Sequence, residues 1–312
     1  LSNWAGRVDW PWRPYWSSLR LISYGGGLKN LRCAAIATIE PSQRKKKTMS
    51  EYDTITLDAT RAGIAILTLN RPDRHNAFNS QVIEELTDAL ETLEEQDTLR
   101  MVILRGAGKS FSAGADLEWM KAAQHWTRED NEQDAMALAE MLRKLAELPQ
   151  MTVALVQGAA MGGGAGLVAA CDVAVAVNSA KFKFSEVRLG LTPATISPFV
   201  INAIGPRWAK ALFVTAEGFD AAFAEKIGLV QYVVDDLEGL AAMEEHIASL
   251  AMGAAPRAIR DAKNLVLDFA GEPASATLSK ETAKRIAARR VSDEGKEGLA
   301  AFLEKRKPNW AD

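Results

Sequence analysis

Residues 153–177 read VALVQGAAMGGGAGLVAACDVAVAV, and this stretch decides the fold class. Val153 to Val156 and Val173 to Val177 are short apolar runs, which are typical of buried strands. A glycine-rich turn, Gly158 to Gly166, lies between them, and Gly164 to Cys171 is predicted to be a helix. Two strands joined through a helix need a crossover connection, which pairs them in parallel. The stretch therefore predicts an α/β fold.

The segments upstream continue this alternation. Ile64 to Leu69 and Met101 to Leu104 are further apolar runs that predict strands. Ser80 is a candidate N-cap for a helix whose apolar residues recur at spacings of three and four: Ile83, Leu86, Leu90 and Leu93. A second predicted helix carries Leu138 to Leu148 and stops at Pro149, and the chain is mainly helical from about residue 240.

Composition excludes several classes of function. The chain has 312 residues, 48% of them hydrophobic, and a net charge of −3, which gives no electrostatic case for a nucleic-acid partner. Apolar runs fall short of the roughly 18–20 residues that a membrane span needs, so we expect no membrane association. With only two cysteines, Cys33 and Cys171, the sequence predicts no disulfide framework and suits a reducing compartment.

The first 48 residues differ from the rest. They carry nine basic and two acidic residues, whereas residues 49–312 carry 28 basic and 38 acidic ones. They also hold four of the eight tryptophans and show no sustained period. Three interpretations stay open: upstream sequence before a true start at Met49, an organellar transit peptide, or a basic arm for an acidic partner. We expect residues 1–48 to be a non-native or disordered head, 49–250 the core, and 251–312 a helical C-terminal region.

Two glycine-containing turns are candidate binding elements. Residues 161–166 read MGGGAG and residues 111–116 read FSAGAD, each after a predicted strand. The first is not a dinucleotide-binding loop, because Leu167 stands where the third glycine should be. Glycines let a ligand approach the backbone, and two turns presenting N–H groups to one point would form an oxyanion hole. Spacing alone, however, favours two unrelated tight turns.

The combination of motifs is more specific than either turn. In order, these motifs are Asn70-Arg71-Pro72 with Asn76-Ala77, FSAGADL at 111–117, MGGGAG with Cys171-Asp172, FSEVRLGLTP at 184–193, and FLEKRK at 302–307. In order and spacing the chain resembles the enoyl-CoA hydratase/isomerase (crotonase) family over about residues 52–310. The resemblance implies a crotonase-like spiral of ββα units with a helical C-terminal part that forms trimers or dimers of trimers.

The resemblance also implies the chemistry. Substrates would be CoA thioesters, with no separate cofactor, and the oxyanion-hole N–H groups would be those of Ala115 and Gly163. Hydratases of the best-known type carry two catalytic glutamates. The second falls at Glu186, but the first falls at Gly166, so Glu186 must carry the proton chemistry without it.

Further residues are expected to bind substrate by position in the family pattern. They are Arg74, Ala77, Ala113, Asp116, Leu117, Gly162, Gly166, Pro193, Thr195 and Lys305. Asp116 is expected to orient rather than to act as a base. The three histidines, His75, His125 and His246, lack ligand spacing, so we expect no metal.

A finer resemblance narrows the substrate. FSAGADLEWM at 111–120 and ISPFV at 196–200 are similar to bacterial 3-methylglutaconyl-CoA hydratases. Gly166 is expected to remove a charge and leave space for a branched acyl chain ending in a carboxylate, which Thr195 and Ser197 would hydrogen-bond. We therefore predict hydration of a branched glutaconyl-CoA.

Two other functions stay open: Δ3-Δ2-enoyl-CoA isomerisation, and a non-catalytic CoA-thioester or RNA-binding module. The expected location is the bacterial cytoplasm, or mitochondria if the head is a transit peptide.

Overall fold

The computed structural model of the chain describes residues 52–311, and the structural statements below concern this part. The predicted head, residues 1–48, lies outside the described residues. The described part contains nine strands: β1 (Ile55–Asp58), β2 (Ile64–Leu69), β3 (Met101–Gly106), β4 (Met151–Val156), β5 (Ala159–Met161), β6 (Val173–Val177), β7 (Lys181–Lys183), β8 (Gly218–Asp220) and β9 (Tyr232–Val234).

Within residues 52–311 there are ten α-helices: α1 (Ser80–Glu94), α2 (Leu117–Ala123), α3 (Arg128–Glu147), α4 (Gly163–Ala170), α5 (Ser197–Thr215), α6 (Ala221–Ile227), α7 (Leu237–Gly253), α8 (Pro256–Phe269), α9 (Ala276–Val291) and α10 (Asp293–Glu304). Short 3-10 helices cover Pro72–Arg74 and Glu186–Leu189. The predicted α/β class with a helical C-terminal part is confirmed.

The strands form two sheets. The larger has the order β1-β2-β3-β4-β6-β9, and every pair in it is parallel except β1–β2. The smaller has the order β5-β7-β8, with β5–β7 parallel and β7–β8 antiparallel. The stretch at residues 153–177, quoted at the start, contains the crossover between β4 and β6. Parallel strands covered on both faces read as continuous apolar runs, which is why these strands were visible in the sequence.

Two local predictions need correction. Asn79, rather than Ser80, caps α1, because its side chain accepts a hydrogen bond from the Val82 N–H. The segment predicted as a turn at Gly158–Gly166 contains β5 and the start of α4 at Gly163. Three residues of β5 are too few to show a period, so the strand was invisible in the sequence.

The C-terminal helices are held to the core by the end of the chain. The Arg100 guanidinium donates to the Trp310 carbonyl at 2.6 Å and also to the Met252 carbonyl. The Trp310 indole N–H donates to the Gly253 carbonyl at 3.3 Å. In residues 52–311, no helix is long and apolar enough to cross a membrane.

Candidate active site

The two predicted turns meet in the structure. The Ser112 N–H donates to the Ala159 carbonyl, and the Met161 N–H donates to the Ser112 carbonyl, both at 2.9 Å. Gly114 has a φ of +89°, and a Cβ atom there would lie 2.9 Å from the Met161 carbonyl oxygen. Only glycine permits this conformation and this approach without strain. The loop after β3 therefore runs directly against the loop that enters α4.

Their convergence presents two backbone N–H groups. Hydrogen bonds from the Phe78 N–H to the Gly114 carbonyl and from the Asp116 N–H to the Phe78 carbonyl, both 2.7 Å, fix the chain on either side of Ala115. Gly163 begins α4, where first-turn N–H groups lack intrahelical acceptors. Among the described residues, no hydrogen-bond acceptor faces the N–H of either Ala115 or Gly163. Such N–H groups are suited to an oxygen that gains negative charge.

The carboxylate of Glu186 lies against Gly162, the residue that precedes Gly163. Glu186 begins the 3-10 helix Glu186–Leu189, and its carbonyl accepts from the Leu191 N–H at 3.0 Å. The Gly162 N–H donates to the Lys183 carbonyl at 2.9 Å, which joins the two segments. A Cβ atom on Gly162 would lie 3.0 Å from Oε1 of Glu186, so the absence of a side chain there admits the carboxylate.

The environment of Glu186 prepares it for proton transfer. The other carboxylate oxygen, Oε2, is buried and has no hydrogen-bond partner in residues 52–311. Burial raises the pKa of Glu186 above its ordinary value of 4.5, and a backbone hydrogen bond offsets this only in part. A carboxylate with a raised pKa and a free oxygen can act as base and then as acid.

The space beside Gly166 is filled, contrary to expectation. A Cβ atom on Gly166 would lie 2.3 Å from Cγ2 of Ile196, whose side chain is 1% exposed. The Ser197 hydroxyl donates to the Ala194 carbonyl at 2.8 Å, so it is engaged locally. The prediction that Gly166 adds room was wrong, because α4 and the start of α5 pack together there, a contact that no motif in the sequence indicates.

Asp116 has a structural role that the sequence showed only in part. It caps α2 by accepting from the Glu118 N–H at 2.9 Å, and it pairs with Arg71 at 2.8 Å. Arg71 also donates to the Ala77 carbonyl at 2.6 Å. Burial acts to raise the pKa of Asp116, but the hydrogen bonds from Glu118 and Arg71 outweigh it, and the pKa is lowered. Arg71 stood in a quoted motif, yet sequence reasoning gave it no role.

The other predicted residues lie in four parts of the structure. Ala113 belongs to the loop cluster, since its N–H donates to the His75 carbonyl at 2.9 Å, and Ala77, two residues after His75, is buried. Arg74 and Leu117 are exposed at the rim, on the first 3-10 helix and at the start of α2. Pro193 is buried and Thr195 half-buried in the segment before α5. Lys305 ends α10, on the C-terminal helices rather than on these loops.

Comparisons with known proteins identify the family of the chain. The family model described as enoyl-CoA hydratase/isomerase matches residues 59–312. A solved structure from Legionella pneumophila, of a protein assigned as an enoyl-CoA hydratase/isomerase (crotonase), is 44% identical. It has a TM-score of 0.78 and covers 82% of this chain and 98% of its own.

Two further relatives show the range of reactions. The structure of an enoyl-CoA hydratase from Shewanella pealeana is 37% identical with a TM-score of 0.81, covering 84% of this chain and 97% of its own. A 1,2-epoxyphenylacetyl-CoA isomerase from Escherichia coli is 32% identical over 257 residues, covering 80% of this chain and 95% of the relative. The chain therefore belongs to the enoyl-CoA hydratase/isomerase (crotonase) family, whose members act on acyl-CoA thioesters.

Proposed function

We propose that the protein hydrates a 2-enoyl-CoA thioester, with 3-methylglutaconyl-CoA or a related branched glutaconyl-CoA as substrate. The observation that carries the proposal is the Glu186 carboxylate, half-buried and with a free oxygen, against Gly162, the residue before the unpaired N–H of Gly163; the loop that presents the unpaired N–H of Ala115 packs on the same turn. A base next to an oxyanion hole is the arrangement that chemistry at the α- and β-carbons of a thioester needs.

The proposed reaction proceeds in two steps. Glu186 removes a proton from water while the water oxygen bonds to the β-carbon, and the π electrons move to the thioester oxygen. The N–H groups of Ala115 and Gly163 stabilise the resulting enolate. Protonated Glu186 then gives its proton to the α-carbon, which restores the thioester carbonyl and the carboxylate. The net change is the addition of one water molecule.

The substrate proposal is supported by charge and by motif. Position 166 carries no carboxylate, so an acyl chain that ends in a carboxylate meets less like-charge repulsion than in a site with two glutamates. The motifs around Ala115 and at 196–200 are similar to those of 3-methylglutaconyl-CoA hydratases. Recognition of the distal carboxylate by Ser197 would require its hydroxyl to leave the Ala194 carbonyl.

The second candidate is Δ3-Δ2-enoyl-CoA isomerisation, and Ile196 favours it. An apolar side chain stands where a second carboxylate would help to hold water. In this reaction Glu186 removes a proton from the α-carbon of a 3-enoyl-CoA and returns it to the γ-carbon. The double bond moves to the 2,3 position, and no water is consumed.

Steady-state rates on three substrates decide between the candidates. We expect kcat/KM for hydration of 3-methylglutaconyl-CoA to exceed that for crotonyl-CoA, and both to exceed isomerisation of a 3-enoyl-CoA. Glu186→Gln should abolish turnover, whereas Glu84→Gln, an exposed glutamate on α1, should leave it unchanged. Isomerisation that outruns both hydrations would select the second candidate. Thioester binding without turnover of any of the three would indicate a non-catalytic module.

We also propose that the chain assembles as a trimer or a dimer of trimers through its C-terminal helices. Neither α8 nor α9 contains a fully buried residue, and an open cavity of about 1400 Å³ lies between α8, α9 and α10. Phe302 and Leu299 are 79% and 61% exposed there. Apolar surface of this extent is typical of protein interfaces.

The cytoplasm is the proposed location, since the substrate class and low cysteine content suit a reducing compartment.

A further inference from the structure

We infer that Ile196 is a specificity-determining residue of this site, because its side chain occupies the volume through which any side chain at position 166 would have to pass. Gly166 supplies no carboxylate and Ile196 forms an apolar wall beside it, so the acid/base chemistry of the site depends on Glu186. The inference rests on the proposed function only in taking Glu186 as the acid/base.

The geometry of α4 places Ile196 near Glu186. Gly162 and Gly166 lie one helical turn apart, joined by the hydrogen bond from the Gly166 N–H to the Gly162 carbonyl at 3.0 Å. Gly162 caps the N-terminus of α4 with a positive φ, and its Cβ direction meets the Glu186 carboxylate at 3.0 Å. The Cβ direction of Gly166, one turn further, meets Ile196 at 2.3 Å. Helix α5, which follows Ile196, contacts both α4 and the 3-10 helix that begins at Glu186, so Ile196 and Glu186 lie at the same end of α4.

Rotation of the Ile196 side chain cannot clear the space. A Cβ atom at position 166 would lie 2.9 Å from Cβ of Ile196 as well as 2.3 Å from Cγ2. The Cβ atom moves only with the backbone, and that backbone is fixed by the hydrogen bond from the Val200 N–H to the Ile196 carbonyl at 3.1 Å. Even alanine at position 196 would keep the 2.9 Å contact, because its Cβ atom is fixed by the backbone.

Removal of the whole side chain does clear the space. The Cα atom of Ile196 lies 3.9 Å from the Cβ position of Gly166, an ordinary van der Waals distance. Glycine at position 196 should therefore admit a glutamate at position 166. The two positions are thus coupled: a second carboxylate needs the loss of Ile196, and Ile196 needs the absence of a side chain at 166.

The chemical consequence concerns the water. With two carboxylates, one can take the proton of water and the other can hold the water or supply a proton to carbon. With Ile196 present, Glu186 must do both, and further orientation of the water must come from the substrate. A substrate without polar groups near the double bond, such as crotonyl-CoA, is then hydrated poorly.

The stability part of the test is a double-mutant cycle with Gly166→Ala and Ile196→Gly. Gly166→Ala should lower Tm clearly in the wild-type background and much less in the Ile196→Gly background. Ile196→Ala is the matched control, since it removes the Cγ2 clash but keeps the 2.9 Å contact, and should rescue Gly166→Ala only in part. Equal losses of Tm in all three backgrounds would overturn the packing claim.

The catalytic part uses Gly166→Glu. Combined with Ile196→Gly, it should raise kcat/KM for crotonyl-CoA hydration at least about tenfold over Ile196→Gly, a lower bound set below the ~10²–10⁴-fold that a well-positioned general acid or base contributes. The pH profile should gain a second ionisation, because neighbouring carboxylates titrate as a coupled pair. A double variant with neither the gain in rate nor the second ionisation would refute the inference.

The two proposals fail in different ways. If wild type hydrates no enoyl-CoA, the proposed function is wrong, but the stability cycle and the gain of crotonyl-CoA hydration in the double variant still decide the role of Ile196. If wild type hydrates 3-methylglutaconyl-CoA and the cycle shows no coupling, the proposed function stands and the inference falls.

Discussion

Glu186→Gln should make the protein more stable at neutral pH, although it removes the proposed acid/base. Burial raises the pKa of Glu186, so the folded state favours the protonated form more than the unfolded state does. Above the unfolded pKa the carboxylate therefore costs stability, and below it this cost disappears. The buried oxygen without a partner is the structural origin of the cost.

The expected magnitude is small but measurable. A buried polar atom without a partner costs about 1–3 kcal/mol and more when it is charged; glutamine keeps a polar atom there and removes only the charge, so at this half-exposed position the gain should be about 1 kcal/mol. In a domain of this size, about 1 kcal/mol corresponds to a Tm shift of roughly 2–4 °C. Glutamine has the same shape and no charge, so packing is preserved.

Calorimetry of wild type and variant across pH tests this reasoning. Glu186→Gln should have the higher Tm at pH 8, and the difference should vanish towards pH 4. The acid limb of the wild-type kcat/KM profile should lie above the ordinary glutamate pKa of 4.5. A lower Tm for the variant at pH 8, or a difference that does not depend on pH, would show that the charge is stabilised in a way that this geometry does not contain.

Three further outcomes are expected. Arg71→Ala removes the ion pair of buried Asp116 and should lower kcat/KM about tenfold, and the kcat/KM of Arg71→Lys should lie between those of wild type and Arg71→Ala. Because the pKa of Asp116 is lowered in the folded state, the loss in Tm of Arg71→Ala should be full at neutral pH and should shrink in acid. Leu299→Asp should reduce the mass measured by light scattering to that of one chain, whereas Leu237→Asp, at a leucine 64% exposed on α7, should not. A chain that begins at Met49 should keep the Tm and activity of the full chain, and a clear fall in Tm would show that residues 1–48 stabilise the core.

The parallel core was predictable because its strands are buried on both faces. β2, β3, β4 and β6 appear as continuous apolar runs, and the helix that precedes Pro149 ends at Glu147 as expected. The three-residue strands β5, β7, β8 and β9 were missed because so short a segment has no detectable period. Their pairing depends on residues far apart in the chain, such as the Phe182–Phe219 ring contact at 5.6 Å.

The candidate site was predictable where a motif fixes backbone position. The turns around Gly114 and Gly162 were found from their glycines, and the structure packs them together, with Gly162 against Glu186. The role of Arg71 was not found, because its partners, Asp116 and the Ala77 carbonyl, are set by tertiary folding. The sequence shows that both residues of such a pair are present, but it does not show that they are in contact.

Gly166 shows why a missing side chain is ambiguous in a sequence. At Gly114 and Gly162, both with positive φ, the absent Cβ atom makes room for the Met161 carbonyl and the Glu186 carboxylate. At Gly166 the absent Cβ atom makes room for Ile196, so the glycine serves the packing of α4 against α5 and leaves no space for substrate. The sequence alone favoured an enlarged acyl pocket, whereas the geometry indicates an apolar wall. Any change of reaction at this site must therefore start at position 196, because a carboxylate at position 166 has no room until Ile196 is removed.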